Sequence, residues 1–155
     1  MPGIAGIARA VFSGFLMSSP ALADALPKTA TPMSSEAVTK LFQGNSAIWK
    51  DEDIYFAPDG SVKGIFGKPT VKALIVGSWS VNDNELCVYT FRSKEKDPFR
   101  DCYQYWSDKK RIITLWSVHS DDSAPDQDNG YYFGEEKKLK PGDLVTDRYT
   151  AAPPM

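Results

Sequence analysis

Cys87, Cys102 and His119 are the residues with the most obvious chemical reach in this 155-residue chain, whose cysteine count is two and histidine count one. The cysteines could hold a metal, cycle between redox states or form a structural bridge. A zinc site wants four ligands, and His119 is the one nitrogen ligand available to join the pair. Redox pairs sit as C-x-x-C at a helix start, a spacing this pair does not have. A structural disulfide is therefore expected. His119 precedes Asp121 and Asp122, so it could in principle serve as a general base. The chain lacks a G-x-S-x-G elbow, a spare cysteine nucleophile and a second histidine, which a nucleophilic triad would need. His119 is read as a surface residue, and no enzymatic activity is expected.

Two acidic segments could bind cations. Residues 120–130 carry Asp121, Asp122, Asp126, Asp128 and Asn129, and oxygen-rich loops bind calcium. Asp126-x-Asp128 followed by Gly130 resembles the start of an EF-hand loop. The glycine stands at the fifth position instead of the sixth, however, and Lys137 occupies the twelfth, where a glutamate belongs. The expected reading is a solvated connection, and neither a metal nor a cofactor is expected. Asp51, Glu52 and Asp53 could hold a general acid, but spacing in sequence does not define facing carboxylates; a surface turn is expected.

The aromatics carry more information. Trp49, Trp79, Tyr103, Tyr105, Trp106 and Trp116 are strand-compatible and bury large areas. Tyr103 and Tyr105 alternate with Gln104 and Trp106, so aromatics fall on both faces of one strand. A second aromatic face can line a pocket, a groove or a partner surface. Trp79, Tyr103, Tyr105 and Trp116 are the candidate ligand-binding residues, with the filled core as the competing role.

These residues must be positioned by short strands separated by turn signals. Ser34 or Ser35 can cap a helix through Phe42, with Ala37, Val38, Leu41 and Phe42 on its apolar face and Gly44 placed to end it. Strands are expected near 45–49, 54–57, 62–66, 71–81, 85–92, 100–106, 111–118 and 130–134. Pro58-Asp59-Gly60, Asn82-Asp83-Asn84, Ser107-Asp108-Lys109-Lys110 and Pro141-Gly142-Asp143 supply turns. On the strand from 71, Ala73, Ile75, Gly77 and Trp79 share a face; Leu74 and Val76 break the alternation and suggest cover on both sides. The fold class is mainly β: an antiparallel meander closing into a small barrel or half-barrel to hide its edges, with one short N-terminal helix.

The cysteine hairpin can be registered. With Lys94 and Glu95 at the apex, Cys87 faces Cys102, Leu86 faces Tyr103, Val88 faces Asp101 and Thr90 faces Phe99. Directly opposed positions can bring Cβ atoms within bridging range. Closing a loop of roughly 15 residues should stabilise the fold by about 3 kcal/mol.

The N-terminus bounds the compartment. Arg9 precedes the apolar run Ala10–Met17, then Pro20 and small residues at Ala21 and Ala23, the layout of a secretory signal peptide cleaved after Ala23. The run is shorter than the roughly 20 apolar residues of a spanning helix. A periplasmic or secreted protein without a membrane span is expected, in an oxidising compartment that suits a disulfide. The expected organisation is a leader at 1–23, a flexible lead-in at 24–33, a single β domain at 34–149 and a disordered tail at 150–155. The formal charge of −2 argues against nucleic acid, whose affinity comes from clustered Lys and Arg.

Gly77-Ser78-Trp79-Ser80-Val81, then Leu86-Cys87 and Asp101-Cys102-Tyr103, resemble the core of a family of small secreted bacterial domains of unknown function, and Phe56-Ala57-Pro58-Asp59-Gly60 is similar to that family's earlier hairpin. The resemblance spans roughly Leu41 to Trp106 and implies no particular activity. The G-x-W element is also superficially similar to the lipocalin signature, which lies on the first barrel strand, whereas Trp79 is mid-chain; ligand binding by that route is analogy. The expected function is a non-enzymatic exported domain that binds a small apolar or aromatic ligand or serves as an envelope component. The alternative is a protein-interaction module, an inhibitor or envelope-assembly factor acting through a strand edge or aromatic patch.

Overall fold

A computed structural model describes residues 25–120 and 130–152. Residues 1–24, where the leader is expected, and residues 121–129 lie outside the described residues. In chain order the elements are β1 (Thr31–Pro32), α1 (Ser35–Phe42), β2 (Asn45–Ile48), β3 (Glu52–Phe56), β4 (Ser61–Phe66), β5 (Ala73–Asn82), β6 (Glu85–Arg92), β7 (Phe99–Asp108), β8 (Arg111–Val118), β9 (Tyr132–Phe133), a 3₁₀ turn (Glu135–Lys138), β10 (Leu139–Pro141) and α2 (Thr146–Thr150).

The strands form one curled antiparallel sheet in the order β10-β2-β3-β4-β5-β6-β7-β8-β9, with β1 pairing β7 off this path. The result is a half-barrel. Among the described residues no ladder joins β9 to β10; the 3₁₀ turn carries the chain between these two edges and forms a seam. Tight turns set the registers. Asp59 Oδ1 accepts from the Ser61 backbone N–H at 2.9 Å, and Gly60 supplies the positive φ that closes the β3–β4 hairpin. Between β6 and β7, Cys87 faces Cys102, Leu86 faces Tyr103, Val88 faces Asp101 and Thr90 faces Phe99, the pairing expected from alternation. Cys87 and Cys102 are disulfide-bonded.

The core fills the concave side. Ser34 caps α1 by accepting from the Ala37 backbone N–H at 3.2 Å, and Gly44, with φ +75°, lets the chain leave the helix. Helical spacing puts Val38 and Phe42 on one face, where they pack into the curl with Ala47, Ile54, Phe56, Val62, Trp79, Leu86, Val88 and Tyr105. Phe42 makes edge-to-face contacts with Phe56 at 5.0 Å and Tyr105 at 5.4 Å. Burying a side chain of this size stabilises by roughly 1.5–3 kcal/mol. Gly77 belongs to the same construction: a Cβ there would overlap the Tyr89 carbonyl oxygen, so glycine is what lets β5 and β6 approach. Two residues on, Trp79 turns inward, and its Nε1 donates to the Ala57 carbonyl at 2.9 Å, tying β5 to the β3–β4 turn.

Several expectations are corrected. Residues 24–33 were expected to be a flexible lead-in, yet Thr31 and Pro32 pair with Ser107 and Trp106, and Thr29 Oγ1 donates to Asp108 at 2.8 Å. The segment uses the stretch of β7 that β6, ending its ladder at Gln104, leaves unpaired. The strand expected at 71–81 starts at Ala73, and that at 130–134 shrinks to Tyr132–Phe133. Cover on the second face of β5 reaches Leu74 but not Val76, which is 45% exposed. The disordered tail expected from Thr150 begins inside α2, which ends at Thr150 and is described on to Ala152; residues 153–155 lie outside the described residues.

The C-terminal segment is a strap over the convex side of β2–β4. Asp143 accepts from the backbone N–H groups of Val145 and Thr146, both at 2.9 Å, which starts α2. Val145 is fully buried, and Ser46 Oγ donates to the Gly142 carbonyl at 2.8 Å. Beneath the strap, Asp53 accepts from Lys68 Nζ at 2.7 Å and Arg148 at 2.6 Å.

Candidate functional site

β3 begins at Glu52, two residues earlier than expected, and that boundary corrects the reading of Asp51, Glu52 and Asp53 as a surface turn. Period-two alternation from Ile54 sends Glu52 to the concave face and Asp53 outward under the strap. Glu52 then meets Arg92, the last residue of β6, in an ion pair. The Arg92 guanidinium lies 4.9 Å from the Phe66 ring and 4.6 Å from the Phe99 ring, held between two aromatic faces. Burial raises the Glu52 pKa above its ordinary value, and Arg92 offsets part of that rise.

Asp101 points to the same interior and accepts from Ser120 Oγ at 2.7 Å. Glu135, on the 3₁₀ turn, completes a trio of acids. Glu52, Asp101, Glu135, Arg92 and Tyr103 border an interior cavity of about 40 Å³. That volume admits a water or two, since one needs on the order of 10–15 Å³. Burial raises the Glu135 pKa; hydrogen bonding toward Thr114 lowers it, the Glu136 charge raises it and hydrogen bonding toward Trp49 lowers it. The Tyr103 phenol is pushed well above its ordinary value by burial first and then by the charges of Asp101, Glu135 and Glu52. Burial does the same to Tyr105.

Beside this interior, at the seam, lies a groove of about 370 Å³ walled by Trp49, Tyr103, Thr114, Trp116, Tyr132, Phe133, Glu135 and Lys138. Its walls come from the residue after β2, from β7, β8 and β9, and from the 3₁₀ turn with the glycine before it. A bulge shifts the β7–β8 register between Cys102 and Tyr103, which sets Trp116 opposite Tyr103. The two rings stack with centroids 5.8 Å apart, and His119 stacks on Trp116 at 4.0 Å. Among the described residues, Trp116 Nε1 and His119 Nε2 are buried without a hydrogen-bond partner.

The four aromatic candidates therefore separate. Tyr103 and Trp116 stand together in the groove wall. Trp79 and Tyr105, 8% and 2% exposed, belong to the packed core and do not line the groove. His119 is not the plain surface residue expected, because its ring is held by Trp116. The disulfide lies on the convex side near Glu85, and with both sulfurs bonded the cluster Glu85, Cys87 and Cys102 offers no thiolate to a metal. Sequence reasoning missed Glu135, Lys138 and Arg92 as site residues. Arg92 had a readable signal, an odd charge at the inward end of an alternating strand; Glu135 and Lys138 had none, since their turn has no periodic pattern.

Fold and site together define a β half-barrel domain with a helix-filled interior and an aromatic groove along its seam. The chain belongs to the family of proteins of unknown function DUF995, which matches residues 11–129. The match covers β1 to β8, whereas β9, the 3₁₀ turn, β10 and α2 lie beyond it. No curated protein and no solved structure matches the chain.

Proposed function

We propose that this protein is an exported, non-enzymatic half-barrel that binds a small apolar or aromatic ligand in the seam groove. The observation that carries the reading is the groove itself, about 370 Å³ with five aromatic side chains in its walls. Ligand sites are typically concave, mainly apolar and a few hundred Å³ in volume, with a small number of polar groups to orient the ligand. Export rests on the leader pattern of residues 1–23 and on the Cys87–Cys102 disulfide, which suits an oxidising compartment. Among the described residues no helix is long and apolar enough to cross a membrane. The interior acids speak against hydrolysis in that cavity: about 40 Å³ leaves no room for a substrate, and Glu52 and Asp101 are engaged by Arg92 and Ser120.

The test is fluorescence titration with N-phenyl-1-naphthylamine, a neutral apolar aromatic probe. Saturable binding at one site, lost in Trp116→Ala and retained in Val76→Ser, is the expected result. Absence of probe binding, together with no thermal shift across a panel of apolar and aromatic metabolites, would sink the ligand reading. A second reading, a protein-interaction module, is favoured by the convex patch of Val76, Tyr89 and Phe91, each more than 40% exposed, with the two rings in edge contact at 5.3 Å. A stoichiometric partner crosslinked in envelope extract and lost in Tyr89→Ser/Phe91→Ser would favour it.

A further inference from the structure

We infer that the seam groove selects ligands that carry a protonated or quaternary amine beside their apolar or aromatic part; the inference rests on the groove reading above. Glu135 is the acidic side chain in the groove wall, set among Trp49, Tyr103, Trp116 and Phe133. Among the described residues its carboxylate has no ion-pair partner; the ion pairs engage Asp53, Glu52 and Asp108. An ionised carboxylate held in apolar surroundings without a counter-charge is costly, and a cation in the groove would supply that counter-charge.

The surrounding charges point the same way. Of the acids behind the groove, Glu52 is ion-paired with Arg92, while Asp101 accepts from the neutral Ser120 groups and has no ion pair among the described residues. Glu136 adds a further acid on the same turn and acts on Glu135 through its charge. The basic side chain of the wall, Lys138, is exposed and therefore solvated at the rim, as are Lys137 beside Gly134 and Arg111 beside Phe133; these weaken the field from the solvent side. Aromatic faces add attraction for cations, and this molecule already uses them that way: Arg92 lies between Phe66 and Phe99, and Arg111 lies 5.3 Å from the Phe133 ring. Arg111 already engages Phe133 and Trp116 is stacked by Tyr103 and His119; the indole of Trp49, which hydrogen-bonds toward Glu135 in the same wall, is one ring placed to meet the ligand's cation.

The experiment uses three probes that share a benzyl group and differ in charge: benzyltrimethylammonium, benzyl alcohol and phenylacetate, titrated calorimetrically into the full chain. Benzyltrimethylammonium should bind about tenfold or more tighter than benzyl alcohol, and phenylacetate most weakly. Glu135→Gln, nearly isosteric, should erase the preference for benzyltrimethylammonium over benzyl alcohol. Lys138→Ala, at the exposed rim, should tighten the cation by a few-fold. Equal affinity for the cation and the alcohol, or a preference that survives Glu135→Gln, overturns the charge inference and leaves the groove reading standing. If none of the three binds and N-phenyl-1-naphthylamine does not bind either, the groove reading itself fails.

Discussion

The two ends of the half-barrel are built on opposite principles. At the α1 end, Phe42, Phe56, Trp79 and Tyr105 fill the curl with interlocking rings, and the polar group of Trp79 is satisfied by a backbone carbonyl. At the other end, where β3 starts and β6 stops, Glu52, Arg92, Asp101 and Glu135 surround a small cavity, and the edges β9 and β10 meet across a turn instead of a ladder. The first end gains stability from dispersion and apolar burial. The second holds charges away from water and leaves ring surface in a groove, an arrangement that sacrifices stability. The strap over the convex side of β2–β4 is a third device, in which one buried carboxylate gathers Lys68 and Arg148 and thereby fixes α2.

That contrast can be broken by substitution. Phe56→Ala removes a fully buried ring at the packed end and should cost about 3–5 kcal/mol in chemical denaturation. A loss well under that range would mean that the α1 end is not the stabilising one. Asp53→Ala removes the buried acceptor of Lys68 and Arg148, which are themselves part-exposed, and should cost roughly 2–3 kcal/mol, with protease cleavage after Arg148 reporting release of the strap. Reduction of the Cys87–Cys102 disulfide removes about 3 kcal/mol by the loop-closure estimate and should leave groove binding intact, because the bridge lies on the convex side. Alkylation of the oxidised, denatured protein should modify neither sulfur.

The smallest stability effect belongs to the seam and has the opposite sign. Glu135 and Glu52 have folded-state pKa values raised above the ordinary 4.5. A raised carboxyl contributes stability that is fully present below the unfolded pKa and is lost as pH rises through the folded pKa. Glu135→Gln, which removes that loss, should therefore raise the melting temperature at pH 7 by a few degrees. The gain should vanish as the pH is lowered below 4.5. A variant less stable than the parent at pH 7 would mean that the carboxylate is held by favourable contacts and that the seam is as optimised as the core.

Much of the fold was legible because it rests on local rules. The helix at Ser35–Phe42 follows from a serine cap and i, i+3, i+4 spacing. The β5–β6 and β7–β8 hairpins follow from two-residue polar turns, and Asp83 and Lys109 take the positive φ that such turns require. What escaped had no periodic signature. β1 and β10 are two and three residues long and exist because a neighbouring edge was left unpaired. Glu52 and Asp53 looked like a polar turn because their burial depends on partners distant in sequence, Arg92 for one and Lys68 with Arg148 for the other.

From sequence alone, then, come the strand order of the hairpins, the cysteine register and the sharing of one face by Tyr103 and Tyr105, all properties set by chain neighbours and a period of two. The division of the aromatics was settled in three dimensions. Alternation states which face a side chain takes, not what meets it there. Trp79 and Tyr105 meet α1 and become core; Tyr103 and Trp116 meet the seam and become groove wall. The closing residues, Trp49 just past β2 and Tyr132 to Lys138 from the other end of the sheet, come together because the sheet curls until its two ends approach, and that curvature is a sum over every strand that no local segment contains.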